Sequence, residues 1–314
     1  MNVIELVKKA LDWRANFQNS DKSSTLRLFC GTSDGLKGLW IDRYGELIIV
    51  SLYQSHLIKL KKSILVFFHE LNPKFEVLFK IKTTKGFDSD LSSLEHREFE
   101  CEELGCRYII KTDIKHDFGL FIDTYTARRW LREHSRNRSI LNLFSYTCAF
   151  AVVGKKYDAG QVTNIDPNKD YLNWGKMNAA INQLDFRNLC DSAQKYLARH
   201  VRRLKKGKDQ VYDIVIADPP AFLIGRGDDR LGRKVWPKLL EWFGETKSEY
   251  FILICNDRSF RQGRDLKHFF SEGLGRHYQL TQLEHSLDVL GQNFNRLQLD
   301  DDYLPPDIFI ASKV

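Results

Sequence analysis

Asp218-Pro219-Pro220-Ala221-Phe222 is the segment of this chain whose residue types are best placed to do chemistry. It closes the apolar run Asp213–Ala217, which reads as a short buried strand. Proline has no N–H and a fixed φ, so two in succession lift the chain off the sheet. Asp218 is then left at the C-terminal end of a central strand, where open α/β sheets bind their ligands. The ring of Phe222 follows the turn. An acid, a rigid turn and an aromatic plane at one strand end can grip a nucleobase by its edge and its face.

Two further acids, Asp166 and Asp191, stand at or just after the ends of the two preceding inferred strands. Strand ends on one edge of a parallel sheet are neighbours, so the three carboxylates are expected to border one crevice. An acid after the second strand suits a ribose, whose hydroxyls each contribute about 1.5–3 kcal/mol when they bond a charged acceptor. One after the third strand can accept from an adenine amino group. Both fit S-adenosylmethionine, and the first also fits NAD. The first turn separates these ligands. Leu141–Phe150 contains no glycine, so a pyrophosphate finds no close backbone approach there. S-adenosylmethionine carries no phosphate. Against this stands the simpler reading that each acid merely caps the helix after it.

The elements that must position these residues follow from periodicity. A helix is expected within 1–17, and Asn19–Ser24 reads as a joint. Strands are expected at Leu26–Cys30, Gly38–Asp42, Leu47–Tyr53, Phe75–Ile81, Phe99–Glu103 and Tyr108–Lys111, with a helix at His56–Leu71. The rhythm then turns to alternation. Strands at Ile140–Phe144, Gln161–Asp166, Phe186–Cys190, Asp213–Ala217 and Tyr250–Cys255 are interleaved with helices. That is the pattern of a doubly wound, mostly parallel sheet. Strands at Gln279–His285 and Pro306–Ser312 have no long helix between them, which implies an antiparallel edge.

Composition narrows the classes. Hydrophobic residues make up 43% of 314, enough for a folded core, and the net charge of +7 leans toward a polyanionic partner. Six cysteines show no CxxC pair, and no His cluster completes a metal site, so reduced thiols, a cytoplasmic location and no metal are expected. No apolar run approaches the roughly 20 residues of a membrane span. Arg226, Arg258 and Arg261 lie on loops that should open on the active edge, which makes them candidates for RNA phosphates. Cys255 ends the strand beside that of Asp218, as a nucleophile or as a small buried hydrophobe.

Asn142-Leu-Phe-Ser-Tyr-Thr-Cys-Ala-Phe150, Val162-Thr-Asn-Ile-Asp166, Asn173-Trp-Gly-Lys-Met-Asn178 and Asp218-Pro-Pro-Ala-Phe222 together resemble the class I methyltransferases that modify 23S ribosomal RNA. Arg27–Gly45 resembles the small central α+β domain of that family, and Phe118–Asp123 with Arg128 the segment leading into its catalytic domain. Members with an additional N-terminal PUA domain begin earlier; here a helix precedes the central domain.

The resemblance implies an α/β fold: a Rossmann-like seven-stranded class I methyltransferase domain over 116–314, a small α+β RNA-binding domain over 26–115 and a helix within 1–25. It implies S-adenosyl-L-methionine held by Phe118, Asn142, Phe144, Ser145, Tyr146, Thr147, Asp166, Asp191 and Asp218. Catalysis would fall to Asp218, Cys255 and Phe222, and RNA contact to Pro219, Pro220 and the three loop arginines. The substrate implied is ribosomal RNA of the large subunit, at cytosine C5 or guanine N7, acted on by a monomer or homodimer. Relatives of the cytosine-5 kind carry Ser-Cys-Ser after the fifth strand. This chain has Cys255-Asn256-Asp257-Arg258, which leaves the atom open. A non-catalytic RNA-binding protein with the same fold, or a methyltransferase for DNA or protein, stands as the alternative.

Overall fold

The computed structural model describes residues 2–15, 24–83, 86–89, 97–112, 118–220, 231–256, 264–291 and 305–314. The chain forms two compact units, Met1–Asp123 with His285–Leu304, and Thr124–Glu284 with Pro305–Val314.

In the first unit, helix α1 (Val3–Ala15) buries Val3, Leu6, Val7 and Ala10, the i, i+3, i+4, i+7 stripe of an amphipathic helix. These side chains join one core with Phe29, Ile41, Val50 and Phe68. The strands β1 (Thr25–Cys30), β2 (Leu39–Tyr44), β3 (Leu47–Leu52), β4 (Glu76–Thr83) and β5 (Gly86–Ser89) form one sheet in that order, and α2 (Lys61–Leu71) precedes β4. A hairpin of β6 (Glu98–Glu103) and β7 (Cys106–Lys111) turns through Leu104 and Gly105, both at positive φ. Arg14 fastens α1: its Nη2 lies 2.7 Å from Asp34 Oδ2, which also accepts the Cys30 amide at 2.6 Å. Both side chains are buried, and removing either would leave an uncompensated charge. The helix is therefore part of this unit rather than a separate element over 1–25. The division falls at 123/124, not at 115/116, and 285–304 return to the first unit. Strand β5 and a helical turn at Leu287–Leu290 were not expected from the sequence.

The second unit is built on a seven-stranded sheet of the order β10-β9-β8-β11-β12-β14-β13. Its strands are β8 (Ile140–Leu143), β9 (Val162–Asp166), β10 (Arg187–Cys190), β11 (Ile214–Ala217), β12 (Tyr250–Cys255), β13 (Tyr278–Leu283) and β14 (Asp307–Lys313). The first five run parallel, and β14 pairs antiparallel with both β12 and β13. This is the expected α/β architecture with its antiparallel edge. Helices α3 (Tyr125–His134), α4 (Ala149–Lys156), α5 (Lys169–Ile181), α6 (Ala193–Leu204), α7 (Leu231–Thr246) and α8 (Leu266–Leu274) complete it.

Each parallel strand sends alternate side chains to opposite faces. Ile140, Val162, Ile214, Ile252 and Ile308 pack in one core with Phe150 and Leu172 from α4 and α5. Leu141, Leu143, Ile165, Val215 and Leu253 pack in the other with Leu197, Trp236 and Phe270 from α6, α7 and α8. Trp236 is thus core. The order of strands reverses between β8 and β11, which fixes the place where such sheets open a crevice.

Candidate active site

The turn after β8 is the most contorted segment of the second unit. Phe144, Tyr146 and Cys148 all lie at positive φ (56°, 47° and 63°), a conformation normally left to glycine. It persists because hydrogen bonds hold each residue from Ser145 to Cys148. The Ser145 amide donates to the Ile165 carbonyl at 3.1 Å, the Tyr146 amide to Asp166 Oδ2 at 3.0 Å, and the Cys148 amide to the Ser145 carbonyl at 2.8 Å. Asn178 on α5 donates its Nδ2 to the Thr147 carbonyl at 3.0 Å. Gly175 lets α5 approach: a Cβ there would stand 2.4 Å from Cys148 Sγ. Ser145, Thr147 and Cys148 are buried. Three amides of this turn point into the protein, so they form no cradle for a phosphate. That fits a cofactor without one.

Asp166 is 7% exposed. Its Oδ2 accepts from Tyr146 as above and its Oδ1 accepts from the Asn168 amide at 2.9 Å. Burial pushes its pKa up, against the pull of those two amides. A carboxylate has about four lone-pair sites, so acceptor capacity remains for a ribose. Capping does not explain this acid. The cap of α5 is Asn168, whose side chain accepts from the Asp170 and Tyr171 amides, and the cap of α6 is Ser192, which accepts from Lys195.

Asp191 differs. It lies on the neighbouring strand end, where its own amide bonds the Asp166 carbonyl at 3.1 Å. One carboxylate oxygen accepts from the Ser192 amide at 2.9 Å and the other is paired with Arg199. Any adenine amino group must share this acid with a guanidinium.

Beneath the turn lies a feature that reading the sequence did not single out. Asn142, Asn164 and Asn188 occupy matched register positions on β8, β9 and β10. Asn142 Nδ2 donates to Asn164 Oδ1 at 2.9 Å, Asn164 Nδ2 to Asn188 Oδ1 at 2.9 Å, and Asn188 Nδ2 to the Leu172 carbonyl at 3.0 Å. Asn142 and Asn164 are fully buried, so this line of amides is affordable only because each passes its bond on. Asparagine one or two positions before the end of successive strands is the signal that would have revealed it.

On the far side of the switch point, Asp218 Oδ1 accepts from Asn256 Nδ2 at 3.3 Å. The amide must turn its nitrogen to the carboxylate, which leaves Oδ1 buried without a hydrogen-bond partner. Pro219 is buried and Pro220 exposed. Cys255 has no exposure and belongs to the α7–α8 core with Leu253 and Phe309. That matches the small buried hydrophobe rather than a thiolate open to a base.

Residues 87–241 match the family model described as S-adenosylmethionine-dependent methyltransferase. The match takes in just under half of the chain. Among curated proteins, the chain is 25% identical over 228 residues to the ribosomal RNA large subunit methyltransferase I of Shigella boydii and to that of Escherichia coli K12. The match takes in 69% of this chain and 56% of those proteins. The chain thus spans little more than half the length of the curated relatives it matches. In fold, the chain is similar to a putative SAM-dependent methyltransferase from Streptococcus mutans (TM-score 0.78, 24% identity, 99% of this chain and 82% of that one). It is also similar to a tRNA m1G37 methyltransferase of M. jannaschii (TM-score 0.52, 17% identity, 87% of this chain and 74% of that one). S-adenosylmethionine is the cofactor that defines the family.

The second unit brings Asn142, Phe144, Ser145, Tyr146, Thr147, Asp166 and Asp191 to adjoining strand ends, with Asp218 across β8. Phe118 belongs to the first unit, where the Lys80 ammonium sits 4.6 Å from its ring centre. Phe222, Arg226, Arg258 and Arg261 lie outside the described residues. No helix among the described residues is long and apolar enough to cross a membrane. No group of three or more His, Cys, Asp or Glu suited to a metal ion occurs among them.

Proposed function

We propose that this chain methylates a base of 23S ribosomal RNA in the cytoplasm, at a nitrogen and without a covalent enzyme–base intermediate. The observation that carries the reading is the Asp218–Asn256 pair. A carboxylate beside a buried amide oxygen that lacks a donor is a site for N–H groups, and the edge of a nucleobase presents them. The names of the curated relatives supply the ribosomal RNA.

When bound, S-adenosylmethionine supplies an electrophilic methyl group on a sulfonium. Asp166 would accept the ribose hydroxyls, and the turn at 144–148 would line the rest of that side. Asp218 and Asn256 would hold the base edge so that its nucleophilic nitrogen lies in line with the methyl. Positioning of this kind can supply roughly 7–11 kcal/mol of a barrier, and a ring nitrogen with a lone pair needs no activation by a thiolate. Burial of Cys255 in apolar core supports the same choice.

The test is digestion and mass spectrometry of ribosomal RNA from cells with and without the gene, repeated with Asp218→Ala and Cys255→Ala. A modified nucleotide that vanishes in the deletion and in Asp218→Ala, and persists in Cys255→Ala, is the expected outcome. Loss of the modification in a folded Cys255→Ala protein would restore the covalent route at cytosine C5.

A further inference from the structure

The second unit has a cavity of about 700 Å³ on the face of the sheet that α6 covers. It starts beside Asp191 and runs back along β10 to Gln161 and Gln210, which directly precede β9 and β11 or lie close to them. Strands of four and five residues make this path about 13–16 Å long. It therefore leads away from the strand ends where the cofactor residues gather.

Its wall is cationic. Helix α6, Ala193–Leu204, carries Lys195, Arg199, Arg202 and Arg203 and no acid. Arg199 and Arg203 line the cavity, and Arg187 joins them from the edge strand. Arg187 has no hydrogen bond or ion pair with a described residue. The other two hold carboxylates, Arg199 that of Asp191 and Arg203 that of Asp209 at 3.1 Å. The guanidinium side chains are 54% and 59% exposed. Ion pairs so exposed contribute about 0–1 kcal/mol, so the arginines can turn to a phosphate at small cost and bind it by two parallel hydrogen bonds.

The floor holds an unanswered group. The His200 side chain is 1% exposed and lies between Tyr196 and Tyr212, with ring centres 5.8 and 5.4 Å away. Neither ring nitrogen has a hydrogen-bond partner. Nδ1 faces the Asp209 carboxylate, 3.2 Å from Oδ2, and Nε2 faces no such group. The tyrosines do not serve it: Tyr196 and Tyr212 share a hydroxyl contact at 3.1 Å, and Tyr212 donates to Thr163 Oγ1. A buried imidazole of this kind calls for a small group that both donates and accepts, such as a hydroxyl.

We propose that this groove binds a ribose-phosphate segment of single-stranded RNA, with Arg187, Arg199 and Arg203 on the phosphates and His200 on a ribose hydroxyl. It would be a second contact with the substrate, apart from the base pocket, and it rests on the reading of the chain as an RNA methyltransferase. The hydroxyl contact distinguishes RNA from DNA, which a row of arginines alone does not.

The test is fluorescence anisotropy of a single-stranded RNA oligonucleotide across a salt series, with calorimetric binding of S-adenosylhomocysteine in parallel. Each phosphate contact on a single strand contributes about 0.7 to the slope of log K against log salt. The Arg187→Gln/Arg203→Gln protein should lose about 1.4 of that slope, and about 25-fold in affinity at 0.1 M salt, with S-adenosylhomocysteine binding unchanged. His200→Phe keeps the ring between the tyrosines and should reduce the preference for RNA over DNA of the same sequence. Arg187→Gln alone removes an exposed cation with no partner to orphan, so its share of the slope reads the groove even if the double variant fails to fold. RNA bound with an unchanged slope overturns the groove alone. A native protein that binds S-adenosylhomocysteine but no RNA overturns both the groove and the RNA reading.

Discussion

On one face of β9 and β10, Asn164 and Asn188 are covered by α5 and pass hydrogen bonds in one direction to the Leu172 carbonyl; on the other, Arg187 stands in a groove that α6 leaves open. The same two strands present both, because neighbouring residues of a strand face opposite ways. On the covered face water is excluded, so each amide must find its partner within the protein and the geometry has one solution. On the open face water can stand in for any partner, and ion pairs can be exchanged. Rigidity is thus built on the side that shapes the cofactor turn, and adaptability on the side facing solvent. The acids that end these strands follow the same division. Asp166 is enclosed and held by backbone amides, whereas Asp191 is paired with a half-exposed arginine.

The largest effect should come from breaking the covered face. Asn164→Ala removes the acceptor of Asn142 and the donor to Asn188, leaving two polar groups stranded under α5. Each stranded group costs about 1–3 kcal/mol, so urea denaturation should show a loss of about 2–6 kcal/mol. The corresponding change on the open face, Arg187→Ala, should stay within about 0.5 kcal/mol. Equal losses from the two substitutions would mean that the covered line of amides is not what holds the sheet.

Next come the two acids. Asp166→Ala should weaken S-adenosylhomocysteine by about 10- to 150-fold, the equivalent of 1.5–3 kcal/mol for hydrogen bonds to a charged acceptor. Asp191→Ala should cost about fivefold or less, since a carboxylate already shared with a half-exposed arginine contributes at most about 1 kcal/mol. Asp166 also responds to pH. Burial raises the Asp166 pKa, so protonation, which removes an acceptor, sets in at a higher pH than for an ordinary carboxyl. Cofactor affinity should therefore begin to fall as pH drops toward that raised value, and Asp166→Asn should abolish this dependence. Calorimetry across pH 4–7 reads both. A native protein with flat affinity through that range would show that Asp166 does not meet the ribose.

Much of this division was legible in the residues themselves. The alternation of strands and helices gave the sheet and its antiparallel edge, and the glycine-free turn after β8 anticipated a site with no phosphate cradle. What escaped was long-range. Asn142, Asn164 and Asn188 are separated by 22 and 24 positions, and only register brings them into line. The pairing of Asp191 with Arg199 was equally hidden, although eight residues apart on one helical segment is close to two turns. The first helix was read as standing apart because nothing in its own periodicity names Asp34 as the partner of Arg14.

The smallest effect sharpens the comparison at the one point where the open face is itself buried. Burial lowers the His200 pKa, and Arg203 acts in the same direction, against the pull of Asp209. Tyr196 and Tyr212 are the other titratable groups around it. The folded state then holds a neutral imidazole, while the unfolded chain takes up a proton near the ordinary value of 6.5. Between the lowered pKa and 6.5 the unfolded state binds more protons, so stability falls as pH falls. Above 6.5 neither state is protonated and the contribution is complete. Denaturation midpoints should therefore drop more steeply below pH 6.5 in the native protein than in His200→Phe, which has no proton to gain. Parallel pH profiles for the two proteins would mean that His200 is charged in the fold. The groove would then hold it by the Asp209 carboxylate, and a ribose hydroxyl would have no imidazole to meet.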